Sequence, residues 1–320
     1  MNGIKVAAVQ ASYHLMDRDR TIARVDALCS EAVGRGAQLV VFPEAFVPGN
    51  PLWIDACPIW DDDDAWFALL AANTVEIPGP HSSQLGGIAR RHGIWLVVVV
   101  HERERHGGTI YNSVATYSPE GELANLHRKL VPTGSERTVW GMGDGSTLGV
   151  VDMGQVRVGG LISWENYMPL ARFHQYAQGV ELWLAPTFAT GDGWIATLRH
   201  IAQENSMYVV GVNSVLHADQ VPAEFPDRER LTSSPVFASA GGWLEAGNSV
   251  VVDPYGKVLA GPVRQREEIL VVDVDLDLVR TARRMIDPVG HYNRPDIFRL
   301  LVDTEPRQAV VETRLTIPAE

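Results

Sequence analysis

Four side chains in this sequence could do chemistry together: Glu44, Lys129, Glu136 and Ser163. A carboxylate can take a proton, an ammonium can steady a developing negative charge, and a hydroxyl can attack an electrophilic carbon. Glu44 follows the apolar run 38–42, which Pro43 ends, Lys129 leaves a hairpin pattern, and Ser163 follows the run 156–162. Open α/β sheets gather their reactive groups at such strand ends, so segments far apart in the chain are expected to converge at one sheet edge. Glu136 adds a second carboxylate seven residues beyond Lys129. Taken singly each is ordinary, since a loop Glu or Lys is commonly solvated and a Ser after a strand commonly caps a helix. Their combination carries the argument.

The elements that must position them follow from periodicity. Residues 4–9 read as a strand, and Ile22, Val25, Leu28, Ala32 and Val33 recur at helical spacing until Gly34 and Gly36 stop the helix. The apolar runs 38–42 and 94–100 suit strands covered on both faces, with helices expected at 65–72 and 83–92 between them. Segments 112–117 and 122–127 alternate around a Pro-Glu-Gly turn and predict a hairpin, so the sheet must be mixed. Strands at 148–152 and 156–162, a helix at 169–178, a strand at 182–185, a helix at 194–205 and a strand at 208–212 restore the α/β rhythm. A second hairpin over 248–260, a strand at 269–274 and a helix at 276–283 complete the pattern. Mixed sheets with helices on their outer faces predict a four-layer αββα sandwich. The expected organisation is one domain over residues 1–283, with 284–320 an extended tail.

Phe42-Pro43-Glu44, the run 127–133 (HRKLVPT) and the run 163–166 (SWEN) resemble, in order and spacing, the three catalytic segments of the nitrilase superfamily. The runs 140–146 (WGMGDGS), 169–172 (PLAR) and 290–296 (GHYNRPD) resemble the nitrilase branch in particular, and the amidase and carbamoylase branches fit less well. The resemblance covers about residues 4–298. It implies the αββα fold and a Glu-Lys-Cys triad that hydrolyses a small organic nitrile to a carboxylic acid and ammonia. Glu44 would be the general base, Lys129 the electrostatic group and Glu136 the second, positioning glutamate. No metal or organic cofactor is implied, and a dimer or larger homo-oligomer is, with the tail contributing contacts.

Ser163 departs from that pattern, which has cysteine there. A hydroxyl is a far weaker acid than a thiol, and no His or Gly-x-Ser-x-Gly elbow accompanies it to make a serine hydrolase. Two explanations compete: an engineered change that inactivates the enzyme, and a homologue that has lost catalysis and only binds a ligand. The intact Glu44 and Lys129 favour the first. An amidase of the same superfamily is the runner-up activity. Trp53, Trp164, Pro186, Thr187 and Phe188 are expected to line an apolar substrate pocket.

The remaining signals exclude other classes. A net charge of -12 and the lack of any long basic run argue against nucleic acid or anionic membrane as partner. The longest apolar run, 94–100, cannot span a bilayer, no signal-peptide pattern opens the chain, and Cys29 and Cys57 form no disulfide framework. A cytoplasmic protein is the expectation. The run 101–106 (HERERH) reads as a solvated hairpin tip rather than a metal site, Asp61 to Asp64 as acids favoured at a helix start, and His200 with Glu204 as a pair one helical turn apart without a catalytic role.

Overall fold

A computed structural model describes residues 3–56, 63–238 and 241–307. The first sheet contains β1 (Gly3–Gln10), β2 (Leu39–Val41), β3 (Val75–Glu76), β4 (Trp95–Arg103), β5 (Ile110–Tyr117) and β6 (Leu123–Arg128). The second contains β7 (Val151–Asp152), β8 (Arg157–Gly160), β9 (Leu182–Pro186), β10 (Tyr208–Val212), β11 (Val215–His217), β12 (Trp243–Val252) and β13 (Val258–Arg264). The last strand, β14 (Glu268–Asp275), returns to the first sheet and pairs antiparallel with β1, giving the order β14-β1-β2-β4-β5-β6 with β3 alongside β4. The second sheet runs β11-β12-β10-β9-β8-β7, with β13 on β12. Parallel pairs (β1 with β2, β2 with β4, β8 with β9, β9 with β10) sit beside antiparallel hairpins, so both sheets are mixed as expected.

The layers are visible in the alternation of side chains. In β1, Val6 and Ala8 face the interior between the sheets while Ala7 and Val9 join the outer core with Ile22 and Val25. Those two residues belong to α1 (Arg18–Gly34), which packs beside α3 (Pro80–His92); α2 (Asp64–Ala72) precedes α3 in the chain. In β9, Leu182 and Leu184 face inward, and Trp183 and Ala185 face a third cluster with Tyr176, Leu198 and Ile201. These come from α4 (Pro169–Tyr176) and α5 (Asp192–Glu204). Helix, sheet, sheet, helix is therefore the order of layers. The chain adds two short helices, α6 (Arg228–Thr232) and α7 (Pro235–Ala238), and ends its regular structure with α8 (Leu276–Arg283).

Two local expectations differ from the structure, and two short strands were not expected. The segment expected as a strand over 148–152 is paired only at Val151–Asp152, because a short 3-10 turn, Gly145–Thr147, occupies the approach. The short strands β3 and β11 have too few residues to show a period. The run 101–106 is only partly a solvated tip: β4 continues to Arg103, and His101 and Glu102 are fully buried. Glu102 is held there by Arg128 at 2.5 Å, and His101 accepts a hydrogen bond from Trp140 Nε1 at 3.1 Å. Burial keeps the His101 ring neutral, with its pKa pulled down to about 3 although the Gly49 carbonyl works the other way.

Asp61, Asp62 and Cys57 lie outside the described residues; Asp63 caps α2 without a side-chain bond, and Asp64 stands in its first turn. Among the described residues no helix is long and apolar enough to cross a membrane.

Candidate active site

Glu44 owes its place to β2. The strand is buried on both faces, and Phe42 N–H still donates to Val97 O at 2.9 Å before Pro43 ends the pairing. The carboxylate that follows is 1% exposed. Its Oε1 accepts from Lys129 Nζ at 2.7 Å and from Asn112 Nδ2 at 2.9 Å; its Oε2 accepts from the Phe188 backbone N–H at 2.8 Å. Asn112 belongs to β5 in the first sheet and Phe188 follows β9 in the second. Both sheets therefore hold one carboxylate.

Lys129 extends the β5–β6 ladder by one residue, donating its N–H to Asn112 O at 2.8 Å. Its carbonyl accepts from Gly143 N at 2.8 Å. A side chain at 143 would bring Cβ within 2.3 Å of the Arg128 carbonyl, so only glycine allows this approach. The ammonium is fully buried between Glu44 and Glu136 Oε2, the latter at 2.6 Å, and lies 5.4 Å from the centre of the Trp140 ring. Burial alone would pull the Lys129 pKa down; the two carboxylates outweigh it and hold it above the ordinary lysine value. Glu136 sits on a short turn, Gly134–Thr138, whose first residues it caps by accepting the Thr133 N–H at 2.6 Å. Burial and the Glu44 charge push its pKa up to about 7 against the pull of Lys129.

Ser163 stands where β8 gives way to a short 3-10 turn, Ser163–Tyr167, and adopts φ +50°, a left-handed conformation that is uncommon outside glycine. Such a backbone costs on the order of 1–3 kcal/mol and persists only where neighbours hold it. Glu165 does so: its carboxylate accepts from Ile162 N at 2.8 Å, Leu130 N at 2.5 Å and His127 Nε2 at 3.2 Å. One side chain thus fastens the Ser163 turn to the segment that carries Lys129. Asn166 braces the same turn, donating to the Ser163 and Leu161 carbonyls at 2.8 Å each, and Trp183 Nε1 donates to its Oδ1 at 2.7 Å. Thr187 Oγ1 donates to Ser163 Oγ at 3.1 Å. The adjacent residues Thr187 and Phe188 therefore touch the hydroxyl and the Glu44 carboxylate respectively.

Ser163 and Glu136 open onto a cavity of about 630 Å³. Trp164 and Phe188 line it, as expected from the sequence. Thr187 is buried beneath it, at the hydroxyl of Ser163. Trp53 and Pro186 are placed elsewhere: Trp53 packs into the core against Trp66, ring centres 6.0 Å apart, and Pro186 pairs with Val212 inside the second sheet. Both lay near a motif in sequence, which says nothing about the face on which a side chain emerges. Asn112, Glu165 and Asn166 received no role from sequence reasoning. A polar side chain inside an apolar strand pattern is the signal that could have singled out Asn112. His200 lies 3.7 Å from Glu204, whose carboxylate is held by Arg172 and Tyr176.

Comparison with known proteins shows the family and the fold. Residues 5–284 match the family model described as carbon-nitrogen hydrolase. The chain is 40% identical to an aliphatic nitrilase of Sinorhizobium fredii over 97% of this chain and 99% of that one. It is 34% identical to nitrilase 1 of Arabidopsis thaliana over 96% and 89% of the two chains. Its fold superposes on a crystal structure of a carbon-nitrogen hydrolase from Helicobacter pylori with a TM-score of 0.70, at 23% identity, covering 93% of this chain and 97% of that one.

Proposed function

The chain belongs to the carbon-nitrogen hydrolase family, on its nitrilase branch, and from that premise we propose that its site is built to hydrolyse an organic nitrile to a carboxylic acid and ammonia through a Glu-Lys-Cys triad, with Ser163 in the place of the nucleophilic cysteine. The observation that carries this reading is the buried Lys129 ammonium, held at 2.7 Å from Glu44 and 2.6 Å from Glu136, beside a left-handed turn that presents residue 163 to the cavity.

With a thiol at 163, Glu44 takes its proton and the thiolate attacks the nitrile carbon. The negative charge that develops on nitrogen is met by Lys129 and by the Trp164 backbone N–H, and a proton completes the thioimidate. One water adds, ammonia leaves with the carbon–nitrogen bond, and a thioester remains. A second water, deprotonated by Glu44, releases the acid and regenerates the thiol, so two waters are consumed for each ammonia formed. Glu136 and Asn112 act as positioning residues, the first on the ammonium and the second on the carboxylate. With a hydroxyl at 163 the same proton transfer is far uphill, and the chain is an inactivated form of this enzyme. The exposed apolar side chains of the tail, among them Met285, Tyr292, Phe298 and Leu301, support its role as a contact between copies of the chain.

The deciding experiment is Ser163→Cys, followed by ammonia release from a panel of aliphatic and aromatic nitriles. The rise should be orders of magnitude, and Glu44→Gln in the cysteine background should abolish it. Faster turnover of the matched amides than of the nitriles would move the reading to an amidase. A folded cysteine form silent on both would leave a ligand-binding protein.

A further inference from the structure

Resting on that reading, we infer that the cavity takes nitriles whose substituent is an uncharged aryl group and rejects those carrying a carboxylate. Two properties of its walls carry this. The first is a strip of aromatic rings that begins next to residue 163. Trp164 and Tyr167 meet edge to face with ring centres 6.0 Å apart and planes at 88°, and Tyr167 meets Trp194 at 6.1 Å and 67°. All three line the cavity, and Trp164 and Tyr167 remain 55% and 50% exposed, so their packing on one another leaves ring surface free. Aromatic side chains prefer such edge-to-face and offset partners, and a ligand ring extends the series. Space is ample: a pocket of about 150 Å³ can hold benzene, against about 630 Å³ here. A short aliphatic nitrile would leave most of that surface uncovered.

The second property is charge. Among the described residues no Lys, Arg or His lines the cavity, whereas Asp55 and Glu136 do. Asp55 is exposed and accepts a hydrogen bond from Ser135 Oγ at 2.6 Å, a neutral partner that leaves its charge in place. The nearest ammonium, Lys129, is already shared by two carboxylates. An anionic substituent would therefore enter beside the exposed Asp55 carboxylate with no cation among the described lining residues to meet it, in a chain whose net charge is -12. The same lining favours departure of the carboxylate product.

The test is calorimetric titration of the Ser163 protein, which needs no turnover, with four probes: phenylacetonitrile, butyronitrile, 4-(cyanomethyl)benzoate and the methyl ester of the last. Phenylacetonitrile should bind about tenfold or more tightly than butyronitrile. The benzoate should bind at least about tenfold more weakly than its ester, which has the larger substituent, and this gap should narrow with salt and in Asp55→Asn. Trp164→Ala combined with Tyr167→Ala should remove the aryl preference. Equal affinity for phenylacetonitrile and butyronitrile, or a benzoate that binds as well as its ester, overturns the inference. Failure of the nitrilase reading shows separately, as a Ser163→Cys form that hydrolyses none of the probes.

Discussion

Two buried carboxylate clusters flank the same cavity and solve the same problem differently. Around Lys129, two carboxylates share one fully buried ammonium. Behind Asn50, Glu245 on β12 is equally buried, and its Oε1 accepts from Asn50 Nδ2 at 2.5 Å and Tyr13 OH at 2.9 Å, both neutral donors. Burial, reinforced by the Glu44 charge, pushes the Glu245 pKa up to about 7, with the two hydrogen bonds opposing. The Tyr13 hydroxyl is in turn held well above its ordinary value by burial and by Glu245. Glu136 beside the ammonium and Glu245 among neutral donors are both raised to about 7, since in each case the opposing groups offset burial only in part. The first arrangement is the one proposed to serve chemistry. The second joins the loop that carries Glu44 and Asn50 to the end of β1 and to the second sheet.

The comparison breaks most visibly at Lys129. Lys129→Met leaves Glu44 and Glu136 buried against each other without a cation and should cost about 3–5 kcal/mol of stability, read from urea unfolding at neutral pH. A loss below about 1 kcal/mol would mean that the cluster does not depend on its ammonium. Glu245→Leu comes next: the Asn50 and Tyr13 donors lose their acceptor in a dry site, a loss of about 1–3 kcal/mol for an unsatisfied buried group. Differential scanning calorimetry would measure it, and no change in Tm would show that the clamp is idle.

Glu245→Gln sharpens the comparison through pH. The folded protein keeps a proton on Glu245 that the unfolded chain gives up near 4.5. Stability from this group is therefore complete below about pH 4.5 and is lost as pH rises through about 7. The glutamine variant should show a shallower fall across that window, with the remainder carried by Glu136, whose pKa is also raised to about 7. An unchanged slope would place Glu245 outside the titration. The smallest effect is expected at Thr187→Val, which removes one neutral hydrogen bond to Ser163 Oγ and should cost about 0.5–1.5 kcal/mol.

Much of the architecture was legible because it rests on local periodicity. The apolar runs behind β2, β4 and β10 and the helical spacing in α1 each bury a continuous face, and the pattern of residues shows it. The short pairings β3 and β11 and the inward turn of His101 and Glu102 were not legible, since a polar residue in a strand is buried only if a distant partner such as Arg128 or Trp140 meets it. The same limit applied to the cavity. Trp164 and Phe188 reach it, while Trp53, close to the first motif in sequence, turns into the core.

By itself, then, the sequence determined which residue types were available and in what order: a glutamate, a lysine and a hydroxyl, each after an element whose pattern could be read. Only the tertiary structure decided that these groups meet. Glu44 and Lys129 are brought together by pairing within the first sheet, the Ser163 turn is tied to the Lys129 segment because Glu165 bonds across to Leu130 and His127, and Thr187 and Phe188 of the second sheet reach the Ser163 hydroxyl and the Glu44 carboxylate respectively. The physical reason is that the period of an element is written in neighbouring residues, whereas a buried charge is satisfied only by groups that folding carries to it from elsewhere in the chain.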